Sequence, residues 1–345
     1  MYLSQDELDL ISWCALSEPG DALTSLIWNE FGPKALENVK RRDFATWRTF
    51  ISENSPEYLS ELSSMEERAC LRLPKANAHQ LVERGIRWNA RPVAVASLPN
   101  VGGRLSDLGV HAPLLIWVAG DHVALEQDFA GIVGTRKPSV KGASNAKRLV
   151  AGLRMPIVSG GAIGIDRAAH EAALEFRLPT VAIMAGGLDK AYPMENWEMF
   201  HQIVRSGGAL MSEMPPGAAP SRFRFLQRNR LIAAMCRELF VVEAAFRSGS
   251  RNTANHARAL GREVYALAGS WASEQSQGCN TMIQEGVAKQ YALDDPIEIE
   301  PSWTEKRVQD ALRAGAKTPS EIAMESGVGL RQVRSIMLLD TKTCN

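Results

Sequence analysis

The chain has 345 residues, 45% hydrophobic and 23% charged, and its 39 basic residues balance 39 acidic ones. That composition belongs to a globular protein with room for two or three domains, and it excludes a disordered chain. A net charge of zero excludes a polycation that coats nucleic acid indiscriminately but leaves room for a local basic pocket, because a ligand meets the local field.

The first residues, MYLSQDELDL, hold acids where a secretory signal has a basic start and an apolar run. SQDELDLISWCAL (4–16) reads as a helix with Ser4 as N-cap and Glu7 closing a capping box. DALTSLIWNEFG (21–32) repeats the apolar spacing and stops at Gly32, ahead of Pro33. This helical texture, rich in Leu, Glu, Ser and Trp, runs to about residue 95.

From about residue 110 short apolar runs end in Gly or Ser clusters. LLIWVAGD (114–121), FAGIVGT (129–135), PIVSGGA (156–162), TVAIMAGG (180–187), ALMSEM (209–214), LFVVEAA (239–245) and EVYALAG (263–269) are the predicted strands. Helical patterns such as DRAAHEAALEF (166–176) and NTANHARALG (252–261) lie between them. Apolar strands alternating with helices predict an α/β fold, a mostly parallel sheet with helices on both faces. Such sheets bind ligands at the carboxyl ends of their strands. From residue 303, WTEKRVQDALRAG, TPSEIAMESG and LRQVRSIMLL give helix, capped short helix, turn and helix. Thr318, Pro319 and Glu321 start the short helix and Gly327 stops it, a helix-turn-helix pattern with too little chain after Leu339 for a wing. The expected domains are 1–95, 96–300 and 301–345.

Four segments carry the functional signal. IVSGGAIGIDRAAHEAAL (157–174) is strand, glycine turn and helix; the amides around Ser159, Gly160 and Gly161 suit an anion, and the same spacing suits a plain tight turn with Asp166 as cap. It is neither a Walker A loop nor GxGxxG, and His170 reads as a core-lining or exposed imidazole rather than a catalyst. AGIVGTRKPS (130–139) puts Arg136 just past a strand end on the same edge. EAAFRSGSRNTANHA (243–257) brings Ser248, Gly249 and Thr253 to a third such turn, with Ser250 or Thr253 as helix cap. SRFRFLQRNRLIAAM (221–235) interleaves Arg222, Arg224, Arg228 and Arg230 with Phe223 and Phe225. Guanidiniums for phosphates and rings for bases suit single-stranded nucleic acid; an arginine-rich helix start paired with acids elsewhere fits the same letters.

No enzyme constellation assembles. The six histidines show no HExxH spacing, there is no GxSxG elbow, and Glu213 and Glu243 at strand ends read as acceptors for loop N–H groups. The five cysteines, Cys14, Cys70, Cys236, Cys279 and Cys344, are odd in number and without CxxC spacing, which points away from zinc and disulfides and toward a reducing, cytoplasmic setting. No apolar run reaches the roughly 18–20 residues that span a bilayer. No metal, cofactor or membrane contact is expected.

Taken in order, GTRKPS, VSGGAIGIDRAAHEAAL, TVAIMAGGLDKAYPMEN, GALMSEMPPG, FLQRNRLIAAM, FVVEAAFRSGSRNTANHA and GREVYALAG with GCNTMIQEGVA resemble the DNA-processing protein A (DprA/Smf) family over roughly residues 92–293. The resemblance implies a Rossmann-like central domain that binds single-stranded DNA and no dinucleotide. It implies a helical SAM-like domain before it and a winged-helix-like domain after it. The implied role is not enzymatic: protection of incoming single-stranded DNA in natural transformation, and loading of a RecA-type recombinase. The implied homodimer forms through the later part of the central domain, around Asn280 to Val287. Residue by residue, the resemblance carries DNA contacts onto Arg136, onto Ser159, Gly160 and Gly161, and onto Phe225, Arg228, Asn229 and Arg230. Ser248, Gly249 and Thr253 complete the expected site. The chain departs from the family at Leu226, usually Pro, at Ile163, often Arg or Lys, at Arg251-Asn252, usually apolar, and at Ala268, usually Pro. Two other readings stand beside this one. A phosphoribohydrolase of related fold would need a catalytic Glu that SGSRNTANH lacks. A DNA-dependent interaction module would act through Arg331 and Arg334.

Overall fold

The structure is a computed structural model in which residues 3–293, 303–330 and 333 are described. The chain forms two compact units, Met1–Asp294 and Asp295–Asn345.

The first unit begins with six helices: α1 (Gln5–Cys14), α2 (Ala22–Phe31), α3 (Pro33–Arg41), α4 (Ala45–Asn54), α5 (Leu59–Arg72) and α6 (Ala78–Ile86). The expected capping box is formed: the Ser4 hydroxyl accepts from the Glu7 amide, and the Ser4 amide donates to the Glu7 carboxylate at 2.8 Å. Gly32, at φ 55°, ends α2, and Pro33 opens α3 at its first position. Trp13, Ile27, Leu36, Trp47 and Ile51 close a core of their own among these helices. Ile11 of α1 and Val82 of α6 belong instead to a cluster with Trp117 and Met184 of the sheet.

After them come β1 (Ala90–Ala94), α7 (Pro99–Ser106), β2 (Leu115–Gly120), β3 (Phe129–Val133), α8 (Val140–Leu153), β4 (Ile157–Ser159), α9 (Ile165–Glu175), β5 (Thr180–Met184), α10 (Trp197–Arg205), β6 (Ala209–Ser212), α11 (Arg222–Met235), β7 (Cys236–Val241), α12 (Gly249–Ala259), β8 (Glu263–Leu267), α13 (Glu274–Gln284) and β9 (Lys289–Tyr291). The sheet order is β1-β2-β6-β5-β4-β3-β7-β8-β9. From β6 to β9 all neighbours run parallel, and β2 and β1 are antiparallel additions. Alternate side chains serve opposite faces, as the pleat requires. Phe129, Val133, Val158 and Val241 join a core with Leu231 of α11 and Ala254 of α12. Ala130, Ile132, Ile157 and Phe240 join one with Leu149 of α8 and Ala169 of α9. The fold is therefore the expected α/β, Rossmann-like arrangement.

Two strands escaped the reading of the sequence. β1 is ARPVA, an edge strand whose Pro92 is tolerated because an edge need not donate on both sides. It lies just before the expected boundary at residue 95 and pairs with the sheet. β9 is the three-residue KQY, too short and polar to show a pattern.

The second unit holds α14 (Trp303–Arg313) and α15 (Pro319–Ser326). Thr318 and Glu321 form the expected capping box, and Gly327 at φ 64° ends the helix. Val308, Ala311, Ile322, Val328 and Val333 make a small separate core. Most of LRQVRSIMLL, with Arg331 and Arg334, lies outside the described residues.

Candidate nucleic-acid interface

Strand numbers rise from β3 toward β6 in one direction and from β7 toward β9 in the other, so the order reverses between β3 and β7. In an open α/β sheet the loops leaving two such strands diverge and leave a crevice. Here the crevice is a cleft of about 540 Å³. Val133 to Arg136 leave β3 on one wall, Ala245, Arg247 and Ser248 lead into Gly249 and Ser250 of α12 on another, and α11 supplies Arg222, Phe225, Leu226, Arg228 and Asn229.

The centre of the cleft is Phe225. The Arg136 guanidinium lies 5.0 Å from its ring centroid and the Arg228 guanidinium 5.9 Å. Tyr192 meets the same ring at 5.6 Å. A ring held against two cations gains by cation–π attraction and keeps those cations beside a surface on which a base can stack. Arg136 is exposed, whereas Arg228 is 5% exposed and forms the floor. Arg228 Nη1 donates to the Ile183 carbonyl at 2.5 Å, and its Nε, also buried, has no partner. Burial draws its pKa down to about 10; Asp166 opposes that shift and Arg136 adds to it. It therefore remains a cation at neutral pH.

Gly160 makes this floor possible. A Cβ there would come within 2.0 Å of Arg228 Nη1. Gly164 at φ 90° starts α9, and a Cβ on it would lie 2.3 Å from the Thr135 carbonyl. Asp166 was expected as the cap of α9, but Gly164 takes that position and Asp166 sits in the first turn, two residues later. Its buried carboxylate accepts from the Ala162 amide at 3.4 Å. Burial pushes the Asp166 carboxyl above its usual range against the pull of Arg228, that amide and Arg136. An internal carboxylate thus occupies part of the glycine turn where the sequence suggested an external anion.

His170 is fully buried. The Thr180 hydroxyl donates to the Ile157 carbonyl at 3.0 Å, so His170 Nδ1–H must donate to Thr180 Oγ1 at 2.7 Å. Nε2 is then bare and buried, and burial, with Arg228, lowers the pKa to about 3. The imidazole is a neutral core group.

Of the expected site residues, Arg136, Phe225, Arg228, Asn229, Ser248, Gly249 and Thr253 line the cleft. Asn229 ties α11 to α12, donating to the Gly249 carbonyl at 3.3 Å and to Asn252 Oδ1 at 3.1 Å. Ser248, neither Ser250 nor Thr253, is the N-cap residue of α12, because the extended backbone ends at 248. Its hydroxyl makes no cap bond and is buried without a partner. Four expected residues stand outside the cleft wall. Ser159 Oγ donates to the Ile132 carbonyl, Gly161 accepts from Asn196 through its carbonyl, and Gly160 gives Arg228 its room. Arg230 turns away and binds Glu213 at 2.5 Å. Glu213 also accepts from the Gly20 amide, and Glu243 from the Ser139 amide and hydroxyl, as loop acceptors.

Tyr192, Arg247 and Asp166 line the cleft without having been expected in the site, and so does Arg222. Arg247 was visible as the first arginine of FRSGSR, and Arg222 as the first of the arginine cluster. Tyr192 and Asp166 carried no signal of a binding role, since only the fold brings them to this edge. Among the described residues no group of three or more His, Cys, Asp or Glu is placed to hold a metal ion, and no helix is long and apolar enough to cross a membrane.

The family model described as DNA recombination-mediator protein A matches residues 98–299. A putative DNA processing protein DprA of Mycobacterium tuberculosis is 42% identical over 268 residues, 70% of this chain and 68% of that protein. The DNA processing protein DprA of Streptococcus pneumoniae is 40% identical over 178 residues, 51% of this chain and 63% of that protein. The X-ray structure of DprA from Streptococcus pneumoniae matches with a TM-score of 0.64 at 28% identity, covering 84% of this chain and 95% of that one.

Proposed function

Because the chain belongs to the DNA recombination-mediator protein A family, whose relatives are named DprA or Smf, we propose that its cleft binds single-stranded DNA. One observation carries the reading: the Phe225 ring is flanked by the Arg136 and Arg228 guanidiniums at the mouth of a crevice that the strand order itself creates. A ring serves any base and a guanidinium any phosphate, so the site is built for sequence-tolerant binding. The start of α12 adds amides and an unpartnered Ser248 hydroxyl on the same wall. The neutral chain gathers Arg136, Arg222, Arg228 and Arg247 at one cleft, where Asp166 is the sole acid among the lining residues.

In this proposal the protein is a non-enzymatic cytoplasmic homodimer. It shields incoming single strands during natural transformation and passes them to a RecA-type recombinase. The dimer uses the later part of the first unit, around Asn280 to Val287. Anisotropy of a labelled oligothymidine tests the DNA reading. With four cations replacing counterions, log K should fall with log salt at a slope of about −3, from about −0.7 per phosphate. Absence of binding, or binding untouched by Phe225→Ala, overturns it. Elution volume with and without the oligonucleotide, and then with recombinase, tests the dimer and the hand-over.

A further inference from the structure

A second cleft, of about 880 Å³, opens next to the first. Trp88, just past α6, and Trp197, at the start of α10, both line it and meet edge to face, with centroids 6.0 Å apart. They are 47% and 37% exposed, and Met194 beside them is 65% exposed. Three large apolar side chains grouped in a water-filled groove mark a surface that something covers.

The two clefts are continuous. Tyr192 lines both, and a narrow crevice lined by Lys190, Tyr192, Pro220 and Phe225 joins them. The rings therefore form a row that runs from Phe225, through Tyr192 tilted against it at 5.6 Å, to the tryptophan pair. The charges along the groove favour an anionic strand by a small margin. Arg84 is held by buried Asp189 at 2.6 Å. Arg87 is paired with Glu83 at 2.5 Å, one helical turn away, and both are well exposed, so a phosphate can exchange for the carboxylate. Lys190 is exposed and makes no ion pair among the described residues. Three cations against two acids leave one positive charge beside the rings, the pairing that a phosphate and its base need.

We propose that this groove is a second stacking subsite, taking the nucleotides of a single DNA strand that continues past Tyr192 out of the first cleft. The proposal rests on the reading of the first cleft as the DNA site. Its consequence is a dependence on length: a short oligonucleotide fills the first cleft alone, and a longer one also reaches Trp88 and Trp197.

Anisotropy with oligothymidines of about 5 and about 15 nucleotides tests it, on the full chain and on Trp88→Ala/Trp197→Ala. The longer strand should bind the double variant about 10- to 100-fold more weakly than the wild type, while the affinity for the shorter one stays the same. That unchanged short-strand affinity also shows the variant to be folded. Lys190→Glu, which removes no packing, should weaken the longer strand alone. Unchanged long-strand affinity in these variants overturns the second subsite and leaves the first intact. Equal weakening of both lengths overturns it as well, by placing the effect in the fold. A wild type that binds neither length sinks both proposals together.

Discussion

The arginines of α11 serve two opposite purposes. Arg222, Phe225, Leu226 and Asn229 follow helical spacing along one face and line the cleft, and Arg228 reaches into its floor. On either side of that stripe, Arg224 grips Glu18 with two bonds of 2.9 Å, and Arg230 grips Glu213 at 2.5 Å. Glu18 is also bonded by Arg72 of α5, and Glu213 by the Gly20 amide, so these two arginines fasten α11 to the N-terminal helical segment. Four arginines in nine positions thus divide into two that meet the cleft and two that hold the helix still. The lesson is that charge density in sequence does not locate a ligand. The disposition of acids in the fold decides which guanidiniums are left for it.

The comparison breaks most visibly at Arg230. It is 4% exposed, and Arg230→Ala leaves the Glu213 carboxylate, only 15% exposed, without its cation. Urea unfolding should show a loss of about 3 kcal/mol, because an orphaned buried charge is costly. At Phe225 the expectation reverses. Phe225→Ala should weaken oligothymidine binding by about 1–3 kcal/mol in an anisotropy titration, as for other base-stacking rings.

His170 sharpens the picture of the cleft floor. Its pKa falls from the ordinary 6.5 to about 3 in the folded state. As pH drops through 6.5 the unfolded chain takes up a proton that the native state refuses until about 3, so this group removes stability as pH falls across that window. Between pH 7 and pH 5 the wild type should lose about 2 kcal/mol more than His170→Gln, read from urea midpoints at each pH. The smallest effect is expected at Arg224. Its pair with Glu18 is partly exposed, and Arg224→Ala should cost about 1 kcal/mol of stability and leave DNA affinity unchanged.

Much of this was legible in the letters. Local rules suffice where one residue and its neighbours decide the outcome, as at the capping boxes of Ser4 and Thr318 and at the seven apolar strands. They fail where the deciding partner is distant. The motif in SRFRFLQRNR favoured Arg230 over Arg222; Glu213, which reverses that choice, lies in a strand-end loop distant in sequence. The glycine turn at 160 and 161 offered amides to an anion, and Asp166, five residues beyond it, takes up the adjoining Ala162 amide. Tyr192 gave no signal, because its place between two clefts exists only after the sheet has formed. β1 was missed for a local reason, since Arg91 and Pro92 break the apolar pattern that marks a buried strand.

The most direct test of the division between the two kinds of arginine is the salt dependence of oligothymidine binding in Arg222→Ala and Arg230→Ala, measured side by side. Arg222→Ala should lower the magnitude of the log–log slope by about 0.7, and Arg230→Ala should leave it at the wild-type value. A slope lowered by Arg230→Ala and unchanged by Arg222→Ala would contradict the account.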